Sequence, residues 1–347
     1  VEATSESPRP VAACENPPSM FGPIRSLYSL RPGAPLVVLA GVGSVTLMFS
    51  ATPFLIAEIA ERFGVTEGIA GGISVAQVGA FALVNVIVPR LAAPSGKVLR
   101  WSALAFFFLN LASVVAGTFW LLVALRLLAG AAAGAITWVA WADAMRAPRS
   151  LTAVSAVGPV IAMIGAPLVS AAAAGGVRAI YGVLAVAALP GLALRLQTDS
   201  GLKKRSGVSG SRSNRVLRAS LFLLTFFGSS LFVFASVAAR AALGLSAFAT
   251  SWAFSMNALA GLIGARLAAR HKRPGWWLAS AGPAIALSFT GGHAGWFFVG
   301  VTWWGVAFWR GLPGGRELRA AFRQDERAVL YGGQLVRLYV PRFCRKF

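Results

Sequence analysis

Trp120 to Ala142 reads WLLVALRLLAGAAAGAITWVAWA and carries one charge, Arg126. An α-helix rises about 1.5 Å per residue, so about 20 apolar residues cross the hydrocarbon core of a bilayer. This stretch is long enough to span. Working outward, further stretches of the same kind cover Pro35–Ala57, Ile69–Pro89, Trp101–Thr118, Leu151–Ala174, Ala179–Leu194, Ala219–Ala239 and Ala247–Ala265. Two shorter ones, Trp276–Thr290 and Ala294–Trp309, are parted by Gly291-Gly292-His293 and read as a tight hairpin. The total is ten candidate spans.

The whole chain agrees. Of 347 residues, 57% are hydrophobic and 12% are charged, about half the charged share of soluble domains. Gly and Ala are frequent in every span, and small residues let helices approach closely in lipid. The two cysteines, Cys14 and Cys344, give no disulfide framework, and the two histidines, His271 and His293, give no metal centre. No cofactor is expected. There is no P-loop and no Ser/His/acid set, so the chain does not read as an enzyme.

The net charge is +21, from 32 Lys and Arg against 11 Asp and Glu. Such a balance suggests either nucleic acid or a membrane topology with cations on one side. If the amino end is cytoplasmic and the spans alternate, 28 of the 32 cations fall in inside regions. Outside regions hold Arg62, Arg178 and Arg240. The positive-inside rule is obeyed at every loop, so the charge reads as topology plus attraction to anionic lipid, and no nucleic-acid partner is expected. Arg outnumbers Lys 27 to 5, as in GC-rich bacterial coding sequence. The expected location is the bacterial cytoplasmic membrane.

The chain divides into a disordered cytoplasmic tail, residues 1–34, and a six-helix bundle, 35–196. A basic linker follows at 197–216, then a bundle of about four helices, 217–312, and a basic tail, 313–347. At a shift of 176 the two halves match: Ala82-Leu83 meets Ala258-Leu259, and Arg90-Leu91-Ala92-Ala93 meets Arg266-Leu267-Ala268-Ala269. Both copies end a span on the same side. Many secondary transporters are built from repeated halves that rock about a site near the midplane.

From Pro35 to Arg327 the sequence resembles the major facilitator superfamily. That family carries a loop G-x-L-A-D-R-x-G-R between helices two and three; here Pro89 to Lys97 reads PRLAAPSGK, so Leu91, Ala92, Gly96 and Lys97 fit. Ala93 and Pro94 stand where the family has Asp and Arg, and the second copy, Ala265 to Arg273, keeps Arg270 but lacks the acid. The charge-paired inner latch of the family is therefore in question. Leu125-Arg126-Leu127-Leu128-Ala129-Gly130 with Gly134 is similar to the family's helix four. Gly158-Pro159 and Gly165-Ala166-Pro167 partly match helix five of its exporters, and Gly176 to Tyr181 is similar to its G-W-R-x-x-F turn.

The resemblance implies an all-α polytopic protein of two pseudo-symmetric bundles, working by alternating access. It implies an efflux-type carrier of a drug or metabolite, with protons as the coupling partner, acting as a monomer. The family has twelve helices and this chain offers ten, so a truncated or frame-shifted reading is expected beyond Arg327. A non-transporting remnant or regulatory membrane protein is the alternative.

Candidate pathway residues follow from their cost in lipid. Arg126 is the sharpest, since a charge inside a span is retained for a pathway, a partner or a relay unless it snorkels outward. Glu58 is the acid candidate for coupling, against plain solvation at the interface. Gln77, Asn85, Asn110 and Asn257 serve substrate or interhelical bonds. Trp138 and Trp141, three apart, line a cavity or belong to the aromatic belt. The cytoplasmic gate loops contribute Arg90, Gly96, Lys97, Arg100, Asp143, Arg266 and Arg270. Gly158, Pro159, Gly165 and Pro167 form a hinge or a tight packing seam in helix five.

Overall fold

The computed structural model describes residues 33–145, 148–193, 228, 231–268 and 274–311. The tails, the 197–216 linker, the first part of the seventh span and Arg270 lie outside the described residues. Within them the chain forms ten helices and no strand: α1 (Leu36–Phe63), α2 (Glu67–Leu91), α3 (Gly96–Val114), α4 (Phe119–Ala144), α5 (Pro148–Ala173), α6 (Gly176–Ala193), α7 (Leu231–Leu243), α8 (Ala247–Ala268), α9 (Pro274–Thr290) and α10 (Ala294–Gly311). Each expected span has its helix. Among the described residues, α1 to α5 are long and apolar enough to cross a membrane on length and composition, while α6 and α7 count as shorter apolar helices.

Short polar turns end one helix and start the next. Thr66, Ser95 and Thr118 cap α2, α3 and α4, each accepting an N–H three residues on at 3.3 Å, and Ser246 caps α8 through Ala249 at 3.1 Å. Such a cap contributes about 1 kcal/mol. Connections this short make neighbouring helices antiparallel. One face of the protein therefore carries the α1–α2, α3–α4, α5–α6, α7–α8 and α9–α10 turns. The opposite face carries Arg90, Lys97 and Arg100, of which all three are exposed.

The internal repeat is visible in the turns themselves. α1 ends at Gly64 with φ 64°, and α7 ends at Gly244 with φ 63°. Only glycine enters this left-handed region at no steric cost. Two residues after each glycine stands the cap, Thr66 or Ser246, so these turns repeat at a shift of 180, while the Arg-Leu-Ala-Ala motifs repeat at 176. The second copy is shorter by 4 residues, about one helical turn, between the two points.

Helix packing repeats as well. In the first half α2 lies along α4; in the second, α8 lies along α10. The approach is close in both. A Cβ on Gly134 would strike the Phe81 carbonyl, and a Cβ on Gly305 would strike the Asn257 carbonyl. Phe81 and Asn257 are 176 residues apart.

The first half is built around α1, whose most apolar window is 72% buried against 22% for α2. The outer surface is greasy: Val75, Leu83, Trp101, Val115 and Trp120 are all more than half exposed. In water such patches aggregate; in lipid they are the solvent-facing side. The two halves meet where α5 packs on α8, where Phe234 of α7 covers Gly71 of α2, and where the Phe54 and Phe254 rings meet edge to face at 5.9 Å.

Candidate functional site: a cavity between the halves

A cavity of about 240 Å³ lies between the halves. Phe49 and Thr52 of α1 and Val78 of α2 border it on one side. Phe232 and Val233 of α7, Asn257 of α8 and Trp304, Phe308 and Trp309 of α10 border it on the other. Phe49 is the fourteenth of the 28 residues of α1, and Asn257 the eleventh of the 22 of α8. The cavity thus sits at mid-height of the helices.

Its walls are set by local sequence. Pro53 lies inside α1 and has no N–H, so the Phe49 carbonyl loses its donor four residues on. The turn of α1 that borders the cavity therefore carries a backbone carbonyl without its helical donor. Thr52 donates its hydroxyl to the Met48 carbonyl at 3.2 Å, and Asn257 donates Nδ2 to the Val301 carbonyl at 2.7 Å. Thr52 thereby uses its one donor and Asn257 one of its two, and their oxygens remain as acceptors. The Phe49 ring is steadied edge to face on Phe81 at 5.1 Å. Phe232 packs on Phe254 at 4.7 Å, and Phe254 on Phe54. These three rings join α1, α7 and α8. Among the described lining residues none is charged.

Arg126 is elsewhere. It is fully buried in the first half. It donates to Asn110 Oδ1 at 2.9 Å, to the Leu109 carbonyl at 3.0 Å and to the Ser113 hydroxyl at 2.7 Å. Its guanidinium stacks over the Tyr181 ring, 4.5 Å from the centroid. It thus ties α4 to α3 and α6 through neutral acceptors and a π face, and it does not snorkel. Among the described residues its Nε and the buried Tyr181 hydroxyl have no hydrogen-bond partner.

The remaining sequence candidates fall as follows. Asn257 borders the cavity; Gln77, Asn85, Asn110 and Trp138 are not among its described lining residues. Gln77 is buried where α2 meets Gly130 of α4, and Asn85 donates to the Phe81 carbonyl of its own helix at 2.9 Å. Trp138 is half-buried against the first-half core. Glu58 is half-buried near the α1–α2 turn, within electrostatic reach of Glu61 and of Arg240 on α7. Asp143 is buried at the far end of α4. Gly96 opens α3 beside the Ser95 cap, and Arg266 lies in α8.

Helix α5 runs unbroken through Gly158, Pro159, Gly165 and Pro167. Gly165 seats Leu47 of α1. Pro167 leaves the Met163 carbonyl without its helical donor, and Ser255 of α8 supplies one at 2.7 Å. That bond joins the halves.

Sequence reading missed the aromatic lining. Phe49, Phe232, Trp304, Phe308 and Trp309 look like any other lipid-phase residues in one dimension. The signal available was Pro53 at the middle of the first span.

Ten antiparallel apolar helices in two repeated bundles, with a cavity between them, define a multi-pass helical membrane protein of the major facilitator fold. No protein-family profile matches the sequence, and no curated protein matches it. Solved structures do. One is a bacterial homologue of the human lysosomal transporter Spinster, in an inward-facing and occupied conformation. It is 13% identical, with a TM-score of 0.63 over 88% of this chain and 78% of that one. Another is a D-xylose–proton symporter, also 13% identical, with a TM-score of 0.55 over 79% of each chain.

Proposed function

We propose that the protein is a secondary transporter of a small molecule, working by alternating access with the inter-half cavity as its solute site. The observation that carries this reading is the cavity's place: mid-height, between two halves related by an internal repeat. Transporters of this build bind solute at the midplane and rock one half against the other. The fold shared with two solved transporters supports it. The finer reading is an efflux carrier in a bacterial cytoplasmic membrane, with its amino end cytoplasmic and protons as counter-ion. Glu58, beside Arg240 of the other half, is then the coupling acid, because it is a carboxylate whose surroundings change when the halves separate.

The test is distance measurement between spin labels in proteoliposomes, with Cys14 and Cys344 replaced by Ser. One pair, Glu67→Cys with Ala242→Cys, both exposed, spans the face with the α1–α2 turn and leaves Glu58, Glu61 and Arg240 in place. The other, Lys97→Cys with Gly275→Cys, spans the opposite face. Alternating access gives two distances for each pair, one face widening as the other narrows, with populations that shift with pH. Glu58→Gln removes the pH response and keeps both distances. A single fixed distance on both faces overturns the reading.

A further inference from the structure

From the chemistry of the cavity walls we infer its ligand class: a small uncharged aromatic molecule bearing an N–H or O–H donor, of one or two fused rings. This rests on the cavity being the transporter's solute site. Size comes first. About 240 Å³ is below the range of about 300–1,000 Å³ of sites for drug-sized ligands.

Shape comes next. Five aromatic rings, Phe49, Phe232, Trp304, Phe308 and Trp309, border the space, and Phe232 also lies 6.5 Å from Trp304. Rings at these separations favour a flat aromatic guest that stacks or meets them edge to face.

Charge is decided by what is missing from the walls. No described lining residue is ionisable. A cation or an anion would lose its water without gaining a counter-charge. Sugars fit no better, since each buried hydroxyl needs a partner, and the described side chains offer few.

The donor follows from the hydrogen bonds already made. Thr52 spends its one donor on the Met48 carbonyl and Asn257 one of its two on the Val301 carbonyl, leaving Thr52 Oγ1 and Asn257 Oδ1 to accept. The Phe49 carbonyl, freed by Pro53, adds a third acceptor. A guest without a donor leaves all three unsatisfied.

Four probes on one ring system separate these features: indole, 1-methylindole without the donor, tryptamine as the cation and indole-3-acetate as the anion. D-Xylose serves as the polyol. Binding is measured by calorimetry on the purified full chain in detergent, which requires no transport. Indole is expected to bind tighter than each of the others, by about tenfold over 1-methylindole, the factor for one lost hydrogen bond of about 1.4 kcal/mol. Asn257→Leu combined with Thr52→Val reduces the preference for indole over 1-methylindole while the variant stays monodisperse, and an unchanged preference overturns the assignment of these two acceptors. Asn257→Asp supplies a carboxylate and turns the order toward tryptamine. Equal or tighter binding of tryptamine, indole-3-acetate or D-xylose by the native chain overturns the inference, as does no binding of any ring probe. Indole binding without indole flux in proteoliposomes leaves the ligand class standing and sinks the carrier reading instead.

Discussion

Arg126 shows what one buried charge demands of its neighbours. Three acceptors from α3 and one ring from α6 surround it, and among the described residues no carboxylate bonds to it. Removing an acceptor from such a charge costs about 1–3 kcal/mol. Removing the charge together with its acceptor costs less, because nothing buried is then left unpaired. Asn110→Leu is therefore expected to lower the thermal midpoint in detergent, and Arg126→Met combined with Asn110→Leu to recover most of the loss. Two losses that simply add contradict the clamp. The single-span position of Arg126 was legible in the sequence, as was the expectation that it has a partner. Which partners it has was not, because Asn110, Ser113 and Tyr181 come from two other helices.

Helix pairs are held by surfaces that tolerate no extra atom. A Cβ on Gly130 would overlap the Gln77 carbonyl of α2, whereas Gly72, also in a span, has open space around it. Gly130→Val should abolish a monodisperse peak on size-exclusion chromatography, and Gly72→Ala should leave it intact; equal behaviour of the two contradicts the α2–α4 seam. The α5–α8 contact is different in kind. Its Ser255 hydroxyl meets the carbonyl that Pro167 frees at Met163, so a proline read as a kink in one helix is a docking point for another. One such bond contributes about 1 kcal/mol, near a fivefold population ratio. Ser255→Ala should shift the ratio of the two spin-label distances by about that factor, with no change in the distances themselves. An unchanged ratio removes the bond from the rocking equilibrium.

The charge asymmetry belongs to the molecule as a whole. Lys97 and Arg100 lie on one face, and Arg62, Arg178 and Arg240 near the turns of the other. Two of these minority cations have local employment. Arg62 donates to the Ala116 carbonyl at 2.7 Å, at the end of α3, where a helix terminus favours a cation. Arg240 lies within reach of Glu58. They are exceptions to the charge rule with structural reasons. A membrane-impermeant thiol reagent on intact cells should label Arg178→Cys and Arg240→Cys and spare Lys97→Cys and Arg100→Cys. The reverse pattern inverts the topology.

Hydropathy alone determined that ten helices form and roughly where each ends, because in lipid backbone groups must be satisfied without water and a helix satisfies nearly all of its own. The repeat, the tight α9–α10 hairpin and the sidedness of charge were local in the same sense. The cavity was not. Phe49, Asn257 and Trp304 lie on different helices up to 255 residues apart, and an aromatic residue facing lipid has the same one-dimensional signature as one facing a solute. Only the placement of α1 and α2 with α7, α8 and α10 around one cavity decides which rings share a space. Apolar pattern fixes how deep a residue sits in the membrane, whereas the rotation and pairing of helices are set by small-residue contacts made between distant parts of the chain.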